Sequence, residues 1–531
     1  MFRKSLFLIL SLFSTYAYSG HYNNSIIFIE NNIDNEFFIA PRKVDPRFSG
    51  ANVFTKYNLD KQDSLGYMGY GSDGASAKKG GYLDIWLDDS TIKTPFLGQR
   101  CKKDDSSCPS DGILKADYLF DNGAYHIPIT TTGGGANIPR GIFSDSIYQF
   151  IKQLPISSMH TFNYSFCSTM DDYNPKNGQT CQSVGGKTGG HIFDITKDGH
   201  LTLKSTNALQ EIFVDSNGNA VLGLGSQFCE NAIVDKKQGI MCSLVAYNYE
   251  GTFKNYSIRI SLKLHSILDS ISSKAKNSLL IGDGNNSWVS GTSAINIDKV
   301  ITNGDGDIFI FMGQDFLKEI ISNQIDLAKS QELFTFFIDN TRLSQSGYYE
   351  FTPSNTIIIK PRDYGISIVS KELVSNPHKE GKVGDKEPPL TFDYIVTTSA
   401  FRQANKITAS VEGPKTIVRG QPYCLFSSKD KKMNVPFSAY LTYTDEGGSK
   451  VKTRTACDNE PISIKEALWT QTTWPYPYQL EGYFYRTDLQ LTFPMNESTS
   501  LFSMEGEDWI GVVEASGYVN VFAEWSGPDI H

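Results

Sequence analysis

Tyr518-Val519-Asn520-Val521-Phe522-Ala523-Glu524-Trp525 sets Val519, Val521, Ala523 and Trp525 on one face and Tyr518, Asn520, Phe522 and Glu524 on the other. This period of two predicts a half-buried β-strand. Only Ser526 to His531 follow it. A final strand needs two neighbours to be fully paired, so a β domain that stops here either closes internally or is completed by something from another chain.

Working back from that strand, Leu390 to Ser526 reads as several short alternating strands separated by turns, among them Phe392 to Thr397, Lys406 to Val411, Tyr423 to Phe426, Ala439 to Tyr443 and Asp488 to Phe493. Such a pattern predicts an Ig-like sandwich over 390–531. Lys371 to Pro389 is charged, poor in apolar residues and contains three prolines, which predicts an interdomain linker. A middle β-rich domain is expected over 226–370, with a helix over Asp315 to Lys329 and strands at Thr356 to Lys360 and Gly365 to Val369. Residues 20–225 form the N-terminal region. There Ile26 to Ile29 and Phe37 to Ile39 predict a hairpin, and Ser144 to Leu154 predicts a helix capped by Ser or Asp and ended by Pro155. The fold class is all-β: tandem Ig-like β-sandwich domains with a few short helices.

The first nineteen residues have the pattern of a secretory signal peptide, with Arg3 and Lys4, an apolar run from Leu6 to Phe13, and Ala17-Tyr18-Ser19 before Gly20. The run is shorter than the roughly 20 residues of a membrane span, and no later stretch is apolar enough, so no membrane insertion is expected. Without Arg3 and Lys4 the balance moves from 49 basic and 58 acidic residues to 47 and 58, from a formal charge of -9 to -11. An acidic exported chain is a poor candidate for nucleic-acid binding, and no nucleic-acid partner is expected.

The eight cysteines fall into close pairs, Cys101 with Cys108, Cys167 with Cys181, Cys229 with Cys242 and Cys424 with Cys457. Proximity and an oxidising compartment favour these four disulfides over the other connectivities. Zinc fits less well, because no pair has the short ligand spacing and no histidine pair stands near. Asp215-Ser216-Asn217-Gly218-Asn219 departs from a calcium loop and reads as a hairpin turn. No G-x-S-x-G or H-E-x-x-H motif occurs; no cofactor, metal or catalytic residue is expected, and the chain is read as a non-enzyme. Two recognition surfaces are candidates. Arg100, Lys102 and Lys103 flank the Cys101 to Cys108 loop, where tethered cations could meet an acidic sugar. Trp469, Trp474, Tyr476, Tyr478, Tyr483 and Tyr485 form an aromatic cluster whose competing role is core filling.

Several long segments, in order along the chain, carry a resemblance: Phe28-Ile29-Glu30-Asn31-Asn32, Asp45-Pro46-Arg47, Ser64-Leu65-Gly66-Tyr67, Ile358-Ile359-Lys360-Pro361-Arg362-Asp363, Asp393-Tyr394-Ile395-Val396-Thr397-Thr398-Ser399 and Tyr423-Cys424-Leu425-Phe426-Ser427-Ser428. On these the chain resembles the EcpD (Mat) family of common-pilus tip adhesins of Escherichia coli. The resemblance implies a fimbrial subunit of an alternative chaperone-usher system, with a C-terminal pilin-like sandwich that lacks one strand. Its implied partners are a periplasmic chaperone, an outer-membrane usher, the major pilin and a host surface glycan or glycoprotein. Val519, Val521, Ala523 and Trp525 would then floor the groove that receives the donor strand. The few residues between Gly20 and Asn24 leave no donor extension ahead of the first strand, which implies the fibre tip. The alternatives are an assembly initiator without its own receptor and a secreted carbohydrate-active enzyme.

Overall fold

The computed structural model describes residues 20–527 apart from 44–46, 54–64, 70–77, 89–90, 102–106, 132–137, 207–208, 286, 326–332, 341–347, 354–355 and 375. The signal-peptide residues and the Lys102 and Lys103 side chains therefore lie outside the described residues. Strands dominate, and three α-helices occur among the described residues, Asp145–Gln153, Ser273–Lys276 and Gln314–Ser322.

The strand Gly20–Asn31 organises the first half of the molecule. It runs parallel to Lys187–Ser205 along its length and antiparallel to Glu36–Pro41 over Ile26–Asn31, so both backbone edges of that second half are occupied. Both faces of Ile26–Asn31 are buried as well. Ile26 and Phe28 enter one core with Phe48, Phe162 and Phe193, while Ile27 and Ile29 enter a second with Leu201, Leu203 and Val245. A near-continuous apolar run is what a strand buried on both faces requires. The strand begins earlier than the sequence reading placed it, because Gly20–Asn24 also has a partner in His191–Ile195. There His21 meets Asp194 at 2.6 Å and Tyr22 stacks on Phe193.

Lys187–Ser205 pairs antiparallel through Gly199–Ser205 with Lys237–Gly251, which in turn pairs with Gly304–Gly313. One sheet thus crosses the expected boundary between residues 225 and 226. The break in turn-rich sequence there marks a change of loop, not of sheet.

The helix Asp145–Gln153 forms where expected. Ser144 caps it by accepting from the Ser146 N–H, and Ile147, Tyr148 and Ile151 face the core. Its C-terminal carbonyls meet an unexpected partner. The buried Lys197 Nζ donates to the carbonyl oxygens of Ile151, Lys152 and Leu154 at 2.9–3.1 Å, placing a cation at the negative end of the helix. Burial pulls the Lys197 pKa down to about 8. His200, beside it, is pulled down to about 4 by burial first and by the Lys197 charge second. The helix expected to begin at Asp315 runs from Gln314 to Ser322, where Phe316, Leu317 and Ile320 are its buried residues.

The C-terminal domain is a sandwich. One sheet is ordered Gly365–Ser370, Leu390–Ala400, Tyr483–Phe493, Ala439–Thr444, Lys450–Thr455. Against it lie Ile462–Ser463, Lys406–Glu412 and Tyr518–Glu524, together with the small sheet Lys415–Val418, Gln421–Ser427, Asn434–Phe437. Val396, Ile407, Ala409, Leu441, Leu489 and Leu491 fill the space between. Two expected boundaries move as a result. Gly365–Ser370 belongs to this domain, since it pairs along its length with Leu390–Ala400. Lys371–Pro389 is accordingly the connection between two neighbours of one sheet. Charge and proline suit an exposed connection inside a domain as well as one between domains, so composition does not separate the two.

All four close cysteine pairs are disulfides: Cys101–Cys108, Cys167–Cys181, Cys229–Cys242 and Cys424–Cys457.

Candidate functional site

Tyr518–Glu524 lies at the edge of its sheet. Among the described residues it pairs only with Lys406–Glu412, antiparallel, with Val519 opposite Val411, Val521 opposite Ala409 and Ala523 opposite Ile407. Residues directly opposite share a face, so these six side chains all point at the core. Their burial is unequal. Ile407, Ala409 and Val411 are 0%, 1% and 3% exposed, whereas every inward residue of the terminal strand is only partly buried. The core beneath is complete on one side of the strand and uncovered on the other.

The far bank of this uncovered flank is Gly365–Ser370. It is the outermost strand of the opposing sheet and comes close to Tyr518–Glu524 without pairing with it. Ile366 and Ile368 point into the same core and are partly buried. At one end the banks meet through Tyr364 and Trp525, whose rings pack edge-on with centroids 5.6 Å apart. The Trp525 indole N–H is held by the Arg402 carbonyl at 3.0 Å, and the Arg402 guanidinium donates to the Ser526 carbonyl at 2.9 Å. Two edge strands therefore face each other over a half-open apolar floor of Ile366, Ile368, Val519, Val521, Ala523 and Trp525. Such a gap fits an added strand, whose backbone would pair with both banks while alternate side chains closed the core. Ile366 and Ile368 escaped the sequence reading of this floor. Their alternation in Gly365-Ile366-Ser367-Ile368-Val369 was legible, but the assignment of that strand to the middle domain concealed its role.

The opposite face of Gly365–Ser370 is fixed to the middle of the molecule. The Ser367 hydroxyl donates to the buried carboxylate of Glu211, whose pKa burial pushes up. Nearby, Arg362 lies between Asp215 at 3.1 Å, Asp363 at 3.3 Å and Glu481 at 3.4 Å, with its guanidinium over the rings of Trp474 and Tyr478. Trp474 is fully buried with Phe213, Val221 and Phe484, and its indole N–H donates to Ser399 at 3.0 Å. The aromatic cluster singled out in the sequence thus splits: Trp474 is an interdomain anchor, while Tyr476 is 82% exposed. The Asp215 turn closes a hairpin, its Oδ1 accepting from the Asn217 and Asn219 N–H groups at 2.8 Å. Its other oxygen is engaged by Arg362, which leaves this carboxylate neutralised by protein charge.

Arg100 is not the surface cation that its place beside the Cys101–Cys108 loop suggested. It is 1% exposed, at the end of the strand Phe96–Arg100, and its guanidinium lies over the Tyr67 ring at 4.8 Å, with those of Arg47 and Arg140 at 4.0 and 5.7 Å. Strand alternation turns the side chain inward, which charge composition does not register. Among the described residues no group of His, Cys, Asp and Glu is placed to hold a metal ion, and no helix is long and apolar enough to cross a membrane.

These features define a modular, disulfide-bonded protein of Ig-like β-sandwich domains whose last domain keeps an uncovered flank. The chain belongs to the EcpD family of fimbrial adhesins. The family's N-terminal domain, described as that of the E. coli common pilus adhesin EcpD, matches residues 14–201, its middle domain 205–356 and its C-terminal domain 363–523. The last of these begins just ahead of Gly365–Ser370, the bank that the sequence reading had assigned elsewhere. The fimbria adhesins EcpD of Escherichia coli O157:H7 and of strain K12 are each 33% identical over 513 residues, covering 94% of this chain and 92% of the relative. The adhesive subunit CfaE of the CFA/I fimbria of enterotoxigenic E. coli overlaps 60% of this chain and 87% of its own at 9% identity, with a TM-score of 0.20, too low to align the folds.

Proposed function

We propose that this protein is a fimbrial tip adhesin that enters its fibre by accepting a β-strand in the groove between Gly365–Ser370 and Tyr518–Glu524. The observation that carries the reading is the unequal burial across the terminal pair: Ile407, Ala409 and Val411 are closed over while Val519, Val521 and Ala523 are not. An uncovered edge above apolar residues is an aggregation hazard unless another chain covers it. A periplasmic chaperone supplies that cover during export, and the major pilin replaces it in the fibre after passage through the usher. The N-terminal strand is not free to be donated, because Gly20–Asn31 is paired along its length with Lys187–Ser205 and Ile26–Asn31 is also paired with Glu36–Pro41. The N-terminal half carries receptor recognition at the cell surface, with no catalytic step.

The test compares fimbriated bacteria with and without an intact groove in this subunit. Removing residues 518–527 should leave the subunit out of the fibres and abolish attachment to host cells. Attachment that persists in fibres lacking the subunit would assign adhesion to the major pilin and reduce this chain to an assembly initiator. Glycan turnover by the purified protein would revive the enzyme reading. Deleting residues 20–225 is a poor test, since Ile27, Ile29, Phe38, Leu201 and Leu203 belong to the same core as the middle of the chain.

A further inference from the structure

The strand Tyr82–Leu87 sends Leu83, Ile85 and Leu87 into the N-terminal core and turns Tyr82, Asp84 and Trp86 to the opposite face of the sheet. Its neighbours add to that face. Cys167 stands opposite Asp84 and Ser165 opposite Trp86 on one side, and His126 stands opposite Asp84 on the other. The segment after Thr169 is drawn back over the sheet by the Cys167–Cys181 disulfide, which brings Tyr173 onto His126 with ring centroids 4.6 Å apart.

Beneath lies a satisfied polar floor. Asp84 accepts from the Tyr173 hydroxyl at 2.5 Å and from the Cys181 N–H at 3.2 Å, and meets His126 Nδ1 at 3.0 Å. Around the Cys167, Tyr173 and Cys181 cluster, the rings of Tyr82, Trp86 and Phe120 are packed but only partly buried. Two of these rings, Tyr82 and Trp86, are held in orientation by carboxylates. Tyr82 stacks on His126 at 4.8 Å and donates its hydroxyl to Asp172 at 2.8 Å. The Trp86 indole N–H donates to Asp88 at 2.7 Å, and Ser165 donates to the other Asp88 oxygen at 2.9 Å. Asp117, 57% exposed, stands 3.7 Å from His126 Nε2.

We propose that this outer face, centred on Tyr82 and Trp86 and rimmed by Asp88, Asp117 and Asp172, is a saccharide site that takes neutral sugar rings. The inference rests on the adhesin reading and names its receptor chemistry. A pyranose or furanose offers a C–H face to an aromatic ring and hydroxyl donors at its edge, and carboxylates are acceptors only. Rings already fixed by hydrogen bonds lose little entropy when a ligand seats on them. The acidic rim repels sialic and uronic acids, which reverses the expectation built on Arg100.

The full-length mature protein should be screened against neutral hexose and pentose oligosaccharides and their sialylated or uronic counterparts. Neutral glycans are expected to bind, Trp86→Ala and Tyr82→Ala to weaken binding by about tenfold or more, and Trp86→Phe to restore part of it at an unchanged melting temperature. Asp117→Asn, on the exposed rim, keeps the question open to test even where a ring variant fails to fold: it should admit acidic glycans that the parent rejects. Preference for acidic glycans in the parent, or parental affinity in both ring variants, overturns the proposal. If no glycan binds while fimbriated bacteria still need the subunit to attach, this site is refuted and the adhesin reading stands. If attachment does not need the subunit at all, the adhesin reading itself fails.

Discussion

Val521→Asp puts the strand-acceptor reading at risk most directly. In the free subunit Val521 sits opposite Ala409 with one side open, so a carboxylate there can turn to water, and the cost to the isolated domain is expected to be about 1 kcal/mol. Once a strand covers the groove, that escape closes. The variant then lacks the roughly 1.5–3 kcal/mol that burying a valine contributes, and its carboxylate is desolvated without a partner at a further cost of several kcal/mol. A combined loss of about 4 kcal/mol or more corresponds to roughly a thousandfold weaker retention of the strand. The assay is recovery of the subunit in sheared fibres by immunoblot, beside its chaperone-bound level in the periplasm and its melting temperature. Phe522→Asp serves as the control, since Phe522 is 54% exposed on the outer face. Normal incorporation of Val521→Asp, or equal loss from Phe522→Asp, would refute the reasoning.

Trp525→Asp and Ile368→Asp, one on each bank, should reproduce the Val521→Asp loss in the same immunoblot, and incorporation of Ile368→Asp would remove Gly365–Ser370 from the groove. Acid should weaken the N-terminal half. Folded His200 binds its proton near pH 4 instead of 6.5, so its contribution is complete above pH 6.5 and falls as pH drops toward 4; urea unfolding at pH 4.5 against pH 7 should show a loss of about 2–3 kcal/mol that His200→Gln largely removes. Trp474→Ala should cost about 3–5 kcal/mol by emptying a fully buried site, and limited proteolysis should then cut between the middle and C-terminal domains. Replacing Cys424 and Cys457 by Ala opens a loop closed at a separation of 33 residues, which should lower the stability of the C-terminal domain by about 3–4 kcal/mol in denaturant titration.

Local pattern carried much of the architecture. The alternation of residues 518–525, the capped helix at Asp145–Gln153 and the Asp215 turn each depend on residues within a few positions of one another, and each was legible. The pairing of neighbouring cysteines was legible for the same reason. Tyr82 and Trp86 were within reach of the same alternation, yet nothing nearby in sequence connects them to Tyr173 or His126.

The chain by itself thus determined strand type, the inward faces of the terminal strand, the close disulfides and the family. Tertiary structure alone decided that Gly365–Ser370 forms the second bank of the groove, that one sheet crosses residue 225, that Arg100 turns inward and that Trp474 ties two domains together. The physical reason lies in range. Side-chain alternation comes from backbone geometry and repeats every two residues, whereas the choice of strand neighbour depends on burial shared between distant segments, and closing a longer loop adds too little entropy cost to mark the partner in advance.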